Sequence, residues 1–329
     1  MDSAEETIEK RMRALELECS GPKIDFTACG LDDLDALTIA LKLYQSASPL
    51  LDLYLGSNSI GDEGMEAIAN SLGAHPELRQ LYLGANAFKE TGTEAICNVL
   101  PELVNLETLS LGAACFGNDQ ATSLATSLIS MSTTVLRGLY LNSTGLTDEG
   151  ILSLSVALTS GKIHLQTLHL GENQFGADGV KALSEYVEND ESLQQLFLSD
   201  NPLDLEGMEA LGEALCVNKT LALLSLGNCR VTDESVKPLI AALSVNECLQ
   251  SLHLWKNKLT ETSAELLMEI LKRHNNSLTD IQLFGNEIED FEAIQDAIRE
   301  MLAQNKGLKE AEAVIDQDSA ALDDPNPSS

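Results

Sequence analysis

The sequence predicts an α/β fold in which similar strand–helix units stack side by side to form a solenoid. A leucine motif recurs ten times along the chain, and successive copies are 28 to 30 residues apart. Within each unit the apolar residues first alternate, as in a strand, and then recur about every 3.6 residues, as in a helix. Because one such unit cannot bury its apolar side chains alone, neighbouring units must stack to form a continuous core.

The motif consists of three leucines in the pattern Leu-x-x-Leu-x-Leu, followed three residues later by an asparagine. Leu50, Leu53, Leu55 and Asn58 form one complete copy. The asparagine position is occupied in turn by Cys29, Asn58, Asn86, Ala114, Thr144, Asn173, Asn201, Cys229, Asn257 and Asn286. Asparagine offers both a donor and an acceptor, so we expect these side chains to bond the turn after each strand as a buried ladder. Ala114 cannot make such bonds, which predicts a local break in the ladder.

A helix is predicted after each strand. Met65, Ile68 and Leu72 have the spacing of one helix face. Helix starts are marked by threonines that precede acidic residues and could serve as capping residues, namely Thr147, Thr232 and Thr260. Since a helix is wider than a strand, stacked units should curve, with the parallel sheet on the concave side and the helices on the convex side.

Three regions are expected along the chain. Residues 1–22 are predicted to form an N-terminal capping helix, with Ile8, Met12 and Leu15 on its apolar face. Residues 23–316 are predicted to form the repeat domain, which contains ten repeats and a degenerate terminal strand over residues 308–316. Residues 317–329 are predicted to be an acidic, disordered tail.

The repeat unit carries a family resemblance. The unit from Leu50 to Pro76 contains the helix start Gly61-Asp62-Glu63-Gly64-Met65-Glu66-Ala67-Ile68. In length and pattern it resembles the ribonuclease-inhibitor-like subfamily of leucine-rich repeats, and the resemblance covers residues 23–316. It implies a right-handed α/β horseshoe with a parallel concave sheet and convex helices. It also implies a protein-binding role. We expect neither catalysis nor a cofactor.

Within this subfamily, the Ran GTPase-activating proteins share the repeat type and an acidic tail. They suggest an alternative function, regulation of a Ran-like small GTPase. Those proteins present a functional arginine in a loop of their early repeats. Here the corresponding loops read Asn58-Ser59-Ile60-Gly61-Asp62 and Asn86-Ala87-Phe88-Lys89-Glu90, so no activating arginine can be carried over.

The charge of the chain restricts its partners. It contains 52 acidic and 20 basic residues and has a net charge of -32. Such a surface repels phosphate backbones and anionic lipids, which argues against nucleic-acid or membrane binding and favours a basic protein partner. There is no run of apolar residues long enough for a membrane span, and no C-x-x-C pair suggests a metal site.

Sequence features also suggest a compartment. The N-terminal residues are acidic and lack the apolar core of a secretory signal. The seven cysteines are odd in number and widely spaced, as expected for free thiols in a reducing compartment. We therefore expect a cytoplasmic protein, and a nuclear location stays open.

The predicted concave face is rich in aromatic side chains. With three concave positions for each of ten strands, six of the 13 Phe, Trp and Tyr residues lie there, where a uniform scatter would place about one. The candidate partner-binding residues are Tyr54, Tyr82, Tyr140, His169, Phe197, His253, Trp255 and Phe284. Aromatic residues on an open surface favour a protein interface. The alternative explanation is the ordinary preference of aromatic residues for strands, where they stack across the sheet.

Acidic residues follow the strands and lie near the helix starts, which should place them along one rim of the horseshoe. The candidate rim residues are Asp62, Glu63, Asp148, Glu149, Asp233 and Glu234. Each acid could simply stabilise a helix N-terminus. Together they would also steer a basic partner toward this rim.

One group of residues on the predicted concave face has the side-chain types of a catalytic triad. Ser225 and His253 occupy the central positions of neighbouring strands, and Asp280 lies on the next strand. Such a site would be open and would lack an oxyanion hole. The sequence therefore favours a non-enzymatic scaffold or adaptor, either a soluble regulator or a subunit of a larger complex.

Overall fold

The computed structural model describes residues 21–46, 48–114, 116–131 and 135–322, with side chains up to residue 307. In this part of the chain ten strands alternate with ten helices. The strands are β1 (Lys23–Asp25), β2 (Asp52–Tyr54), β3 (Gln80–Tyr82), β4 (Thr108–Ser110), β5 (Gly138–Tyr140), β6 (Thr167–His169), β7 (Gln195–Phe197), β8 (Leu223–Ser225), β9 (Ser251–His253) and β10 (Asp280–Gln282). The helices are α1 (Asp33–Gln45), α2 (Asp62–Leu72), α3 (Glu90–Val99), α4 (Gly117–Ser130), α5 (Asp148–Leu158), α6 (Ala177–Asn189), α7 (Leu205–Val217), α8 (Asp233–Leu243), α9 (Glu261–Arg273) and α10 (Phe291–Leu322).

All ten strands form one open parallel sheet in the order of the sequence. Each strand pairs with the next one along the chain, and the leucines at the middle of the strands are aligned, as Leu53 is with Leu81. This arrangement confirms the predicted fold class. The parallel register follows from the repeat, because every connection passes through a helix before the chain returns to the sheet.

The core lies between the sheet and the helices. The middle residue of a strand points toward the helices, and Leu53, Leu81 and Leu109 have no exposed surface. The predicted helix face packs against them, since Met65 and Ile68 are also fully buried. Burial of both element types in one layer explains why the chain needs two apolar periods in each unit.

The asparagine ladder is present and joins adjacent repeats. Nδ2 of Asn173 donates to the carbonyl oxygens of Leu141 and Leu170, both at 2.9 Å. Its Oδ1 accepts from the backbone nitrogens of Thr144 at 3.1 Å and Leu146 at 3.0 Å. One side chain therefore satisfies buried groups in its own repeat and in the preceding one. In the repeat that contains β5, threonine replaces the asparagine, and the hydroxyl of Thr144 donates a hydrogen bond to the carbonyl of Leu141.

The turn before each ladder position has a left-handed backbone. In every repeat the residue that precedes the asparagine position has a φ between 52° and 75°. These residues are Ala28, Ser57, Ala85, Ala113, Ser143, Glu172, Asp200, Asn228, Lys256 and Gly285. This conformation is unfavourable for residues other than glycine. The ladder bonds help to hold the turn in it.

A second ladder of asparagines, not predicted from the sequence, joins the ends of the helices. Nδ2 of Asn246 donates to the carbonyl of Leu215 at 2.7 Å, and its Oδ1 accepts from the nitrogen of Leu249 at 2.8 Å. The equivalent buried side chains in neighbouring repeats are Asn218, Asn275 and Asn305. The sequence carries a signal for this ladder, an asparagine three residues before Leu221, Leu249, Leu278 and Leu308.

The C-terminal end differs from the prediction. Helix α10 runs without interruption over Phe291–Leu322, so the degenerate strand expected over residues 308–316 is wrong. Residues 317–322 of the predicted disordered tail are helical as well, and residues 323–329 lie outside the described part. Lysine, glutamate and alanine are strong helix formers, and they dominate residues 309–313. None of the described helices is both long and apolar enough to span a bilayer.

The predicted N-terminal capping helix lies almost entirely outside the described residues, because the description begins at residue 21. It stays a prediction, and the first described helix offers an apolar surface for it. In α1, Leu34, Leu37, Leu41 and Tyr44 are all exposed, and Tyr44 is 73% exposed. The equivalent positions of α2 are occupied by Glu63, Glu66, Asn70 and Gly73.

We expect removal of residues 1–20 to lower the free energy of unfolding by about 2 kcal/mol, because a cap would bury part of these apolar side chains. Urea unfolding of the full and shortened chains measures the difference. Equal midpoints would show that residues 1–20 do not cap the first repeat.

Candidate functional site: the concave face of the sheet

The strand register brings five predicted site residues into one row. Tyr54 of β2 is aligned with Tyr82 of β3, and Tyr140 of β5 is aligned with His169 of β6 and Phe197 of β7. Ser110 of β4 separates the two groups. We call Tyr54, Tyr82, Tyr140, His169 and Phe197 the aromatic row. All five side chains are half-buried and point away from the helices.

The rings of the aromatic row stack on one another. The ring centroids of Tyr54 and Tyr82 are 4.9 Å apart, those of Tyr140 and His169 are 4.5 Å apart, and those of His169 and Phe197 are 3.9 Å apart. In these three pairs the planes differ by 13° to 22°. Across the Ser110 gap, Tyr82 and Tyr140 are 6.3 Å apart and tilted by 39°. The ring faces therefore cover each other, and the ring edges are left for solvent or a partner.

Trp255 and Phe284 form a separate aromatic pair near the C-terminal end of the sheet. Their rings are 5.9 Å apart and nearly parallel, and Phe284 is 45% exposed. The indole lies over Gly227, since a Cβ atom at residue 227 would lie 2.0 Å from it. Glycine at this position is therefore what allows the indole to lie against the sheet.

The Gly227→Ala substitution is expected to displace Trp255. The new methyl group cannot coexist with the indole, so the ring must move toward solvent. Because Trp255 is the only tryptophan, intrinsic fluorescence reports its environment directly. We expect a red-shifted emission maximum with little loss of stability. An unchanged spectrum in Gly227→Ala would contradict the close contact.

The histidine considered for catalysis has a different serine neighbour from the one expected. Ser251, rather than Ser225, contacts His253, with its Oγ 3.0 Å from Nε2. The same Oγ donates to Oδ2 of Asp280 at 2.8 Å, and that carboxylate also lies 3.3 Å from Nε2 of His253. A serine–histidine–aspartate relay needs the serine and the carboxylate at opposite ring nitrogens. Here both contact Nε2, so the arrangement is a polar cluster and does not form such a relay. Ser225 is bonded instead to Ser199.

His169 is held in its neutral form by its position between two rings. Burial lowers the pKa of His169 from 6.5 to about 4. At neutral pH the imidazole therefore carries no charge. Its neutral edge offers one donor and one acceptor to the concave surface.

This lowered pKa predicts a pH dependence of stability. Between pH 6.5 and about 4, His169 binds a proton in the unfolded chain but not in the folded one, so stability is lost as the pH falls through this window. The His169→Gln variant lacks this contribution. We expect its free energy of unfolding, measured with urea at pH 7, 5.5 and 4.5, to fall less steeply than that of the wild type. Equal slopes would mean that His169 is protonated equally easily in both states.

The acidic rim residues divide into two groups. Three aspartates bond the helix start of the following repeat. Oδ1 of Asp62 accepts from the nitrogens of Lys89 and Gly92, both at 2.8 Å. Oδ1 of Asp148 accepts from those of Gly176 and Gly179, at 2.7 and 2.8 Å.

Asp233 has the same role at the start of α9. Its Oδ1 accepts from the nitrogen of Thr260 at 2.9 Å, and hydrogen bonds from Thr260 and Ser263 contribute to a lowered pKa of its carboxyl although burial opposes them. By contrast, Glu63, Glu149 and Glu234 are exposed. The glutamates therefore form the accessible part of the rim, whereas the aspartates connect repeats.

Comparison with known proteins identifies the repeat. A family model described as Leucine Rich repeat matches residues 47–69, 161–184 and 189–212. Each of these three segments falls in one strand–helix unit of the fold. No curated protein matches the sequence.

The chain is also similar to a solved structure, an internalin (inlF) from Listeria monocytogenes str. 4b F2365. The two share 17% sequence identity, and the alignment covers 91% of this chain and 93% of the internalin with a TM-score of 0.49. At this level the likeness supports no conclusion about function.

The bonds between repeats include contacts that the sequence predicts within single helices. The predicted caps at Thr232 and Thr260 are confirmed, because each side chain accepts a bond from its own helix start. Thr147 makes no such bond. Asn118 of the preceding repeat bonds both the nitrogen and the hydroxyl of Thr147. These bonds could have been predicted from the acidic or amide residues, such as Asn118 and Asp148, that recur at the helix starts of successive repeats.

Proposed function

We propose that this leucine-rich-repeat protein is a non-enzymatic scaffold or adaptor that binds a basic protein partner through the aromatic row and the acidic rim. A repeat protein of this kind offers a long continuous surface, and such surfaces serve for binding. The single observation that carries the proposal is the aromatic row itself. Five rings from five strands are aligned on the open face of the sheet, where core packing does not require them.

The charge of the chain supports the basic partner. With a net charge of -32, the protein attracts cations over distances of about 10 Å at ordinary ionic strength. The exposed residues Glu63, Glu149 and Glu234 follow β2, β5 and β8, each at the start of the next helix. They would increase the association rate more than the final affinity.

We also propose the finer assignments that the repeat pattern suggests. A unit of 28 to 30 residues with a complete helix favours the ribonuclease-inhibitor-like type of repeat. The free cysteines among the described residues suit a cytoplasmic or nuclear protein, alone or within a larger complex. No observation favours the alternative of GTPase activation, and we do not propose it.

Affinity purification tests the proposal. The wild-type chain and the triple variant Tyr82→Ala, Tyr140→Ala, Phe197→Ala are used as bait, and bound proteins are quantified by mass spectrometry. We expect the wild-type chain to bind basic proteins that the triple variant no longer binds. A matched control variant, Leu152→Ala, Val156→Ala, Val217→Ala, removes exposed apolar side chains from the convex helices. It should retain the same partners.

Two outcomes would contradict the proposal. One is an unchanged partner list for the concave variant, and the other is equal loss in both variants. The rim is tested separately with the exposed glutamates replaced, as Glu63→Gln, Glu149→Gln, Glu234→Gln. For a purified partner, we expect a slower association rate at low salt and a nearly unchanged dissociation rate.

A further inference from the structure

The centre of the concave face carries no charge. The three outward positions of β3 to β8 run from Gln80, Tyr82 and Gly84 at one end to Leu223, Ser225 and Gly227 at the other. We call these eighteen positions the neutral strip. Since 22% of all residues are charged, a set of this size would carry about four charges on average. Charged residues occur in the equivalent positions only toward the two ends of the sheet, at Lys23, Asp25, Asp52 and Asp280.

The four residues of the aromatic row within this strip, from Tyr82 to Phe197, are poorly suited to a cationic side chain. A cation is attracted to the face of an aromatic ring, whereas the ring edge is slightly positive. In the stack of Tyr140, His169 and Phe197, both faces of the imidazole and one face of each neighbouring ring are covered. The Nζ atom of Lys23 already lies 4.6 Å from the ring centroid of Tyr54, at the end of the row. What the row presents outward is therefore a line of ring edges, which favours carbonyl oxygens and apolar groups.

The polar groups beside the row are neutral donors and acceptors. Gln80, Thr108, Thr167 and Gln195 occupy the first positions of their strands, and each offers an amide or a hydroxyl group. His169 adds a neutral imidazole between Tyr140 and Phe197. A peptide backbone presents the complementary groups without a net charge. Nucleobases stack on open ring faces, and the faces between the stacked pairs of the row are covered.

The dimensions of the strip indicate the length of the bound segment. Six parallel strands spaced about 4.8 Å apart span about 24 Å between the first and the last. An extended chain advances about 3.3 Å per residue, so about seven residues would cross the strip. We propose, resting on the proposed function, that the neutral strip binds an uncharged extended segment of the protein partner, while the basic groups of that partner are met at the acidic rim.

Peptide selection tests this proposal with a defined probe. A phage library of random 12-residue peptides is selected on the immobilised full chain, and chosen peptides are synthesised and measured by fluorescence anisotropy in 0.15 M and 1 M NaCl. We expect peptides with a run of about seven uncharged residues whose affinity changes less than threefold between the two salt concentrations.

A charge placed in the strip provides the matched variant. Gln195→Lys adds a cation beside Phe197 at an exposed position of β7 without altering a ring. We expect it to weaken the selected peptides at least tenfold. Gln45→Lys makes the same change at the exposed end of α1 and should leave the affinity unchanged. The Tyr140→Ser variant, checked for folding by circular dichroism, should also lose the peptides.

The outcomes separate this inference from the proposed function. Peptides that depend on Tyr140 but are basic and lose affinity in 1 M NaCl would overturn the neutral-strip proposal and leave the protein-binding role standing. Peptides bound equally by wild type, Tyr140→Ser and Gln195→Lys would overturn both. Uncharged peptides that are insensitive to salt and lost in both variants would support both.

Discussion

The Asn173→Ala variant should lose about 3–4 kcal/mol of unfolding free energy, the largest stability effect that we expect from one substitution outside the apolar core. Asn173 is 5% exposed, and its side chain bonds the carbonyls of Leu141 and Leu170 and the nitrogens of Thr144 and Leu146. Alanine would leave these groups without a partner in a site that water does not easily reach. Urea unfolding followed by circular dichroism measures the change.

The variant should still fold, because the chain already contains one alanine at this position. Ala114 occupies the asparagine position of the repeat that contains β4, and it is buried without a side-chain hydrogen bond. Gln174→Ala is the control, since Gln174 is adjacent in sequence but exposed. It should change stability by less than about 0.5 kcal/mol. A similar small effect for Asn173→Ala would show that the ladder contributes little to stability.

The second large effect is expected from Asp148→Ala, at about 2 kcal/mol. The carboxylate of Asp148 accepts from Gly176 and Gly179, which lie at the start of α6 in the following repeat. The helix has no side-chain cap of its own, because its N-cap residue is Gly176. Loss of the carboxylate therefore leaves two helix N–H groups without their acceptor.

The neighbouring Glu149 provides the matched control. It is exposed and its nearest polar contact, Nδ2 of Asn118, is 3.4 Å away. Glu149→Ala removes the same charge but should cost less than about 0.5 kcal/mol. Thermal unfolding of the two variants at the same pH compares them. Equal destabilisation would mean that net charge, rather than the bonds of Asp148 to the next repeat, controls stability at this rim.

These two sites also show what could be predicted from sequence. The strands, their alignment and the first asparagine ladder could be predicted because they depend on a motif that recurs with nearly constant spacing from repeat to repeat. The alignment of Tyr140 with His169 and Phe197 followed from the same spacing. The bond of Thr144 could also be predicted, because a threonine hydroxyl can donate to the same carbonyl as the asparagine amide that it replaces.

The features that escaped prediction depend on contacts between repeats or on the loss of the repeat. The sequence predicts that Asp148 stabilises the start of its own helix, but its Oδ1 accepts from nitrogens 28 and 31 positions later. Asn246 reaches the carbonyl of Leu215, 31 residues earlier. The mutual covering of the ring faces depends on side-chain torsions, which spacing does not determine. Helix α10 continues where a strand was expected because local helix propensity is decisive once the leucine motif has ended.

The consecutive strand order has a consequence for the dynamics of the molecule. Every strand is bonded only to its sequence neighbours, so β1 and β10 each lack a second partner in the described sheet. Thermal opening should therefore begin at the two termini and advance inward one unit at a time, and amide hydrogens of β5 to β7 should exchange with deuterium last. Tyr140, His169 and Phe197 belong to these slowest units. A ligand that lands there meets a surface that is already ordered, so little conformational entropy remains to be lost on binding.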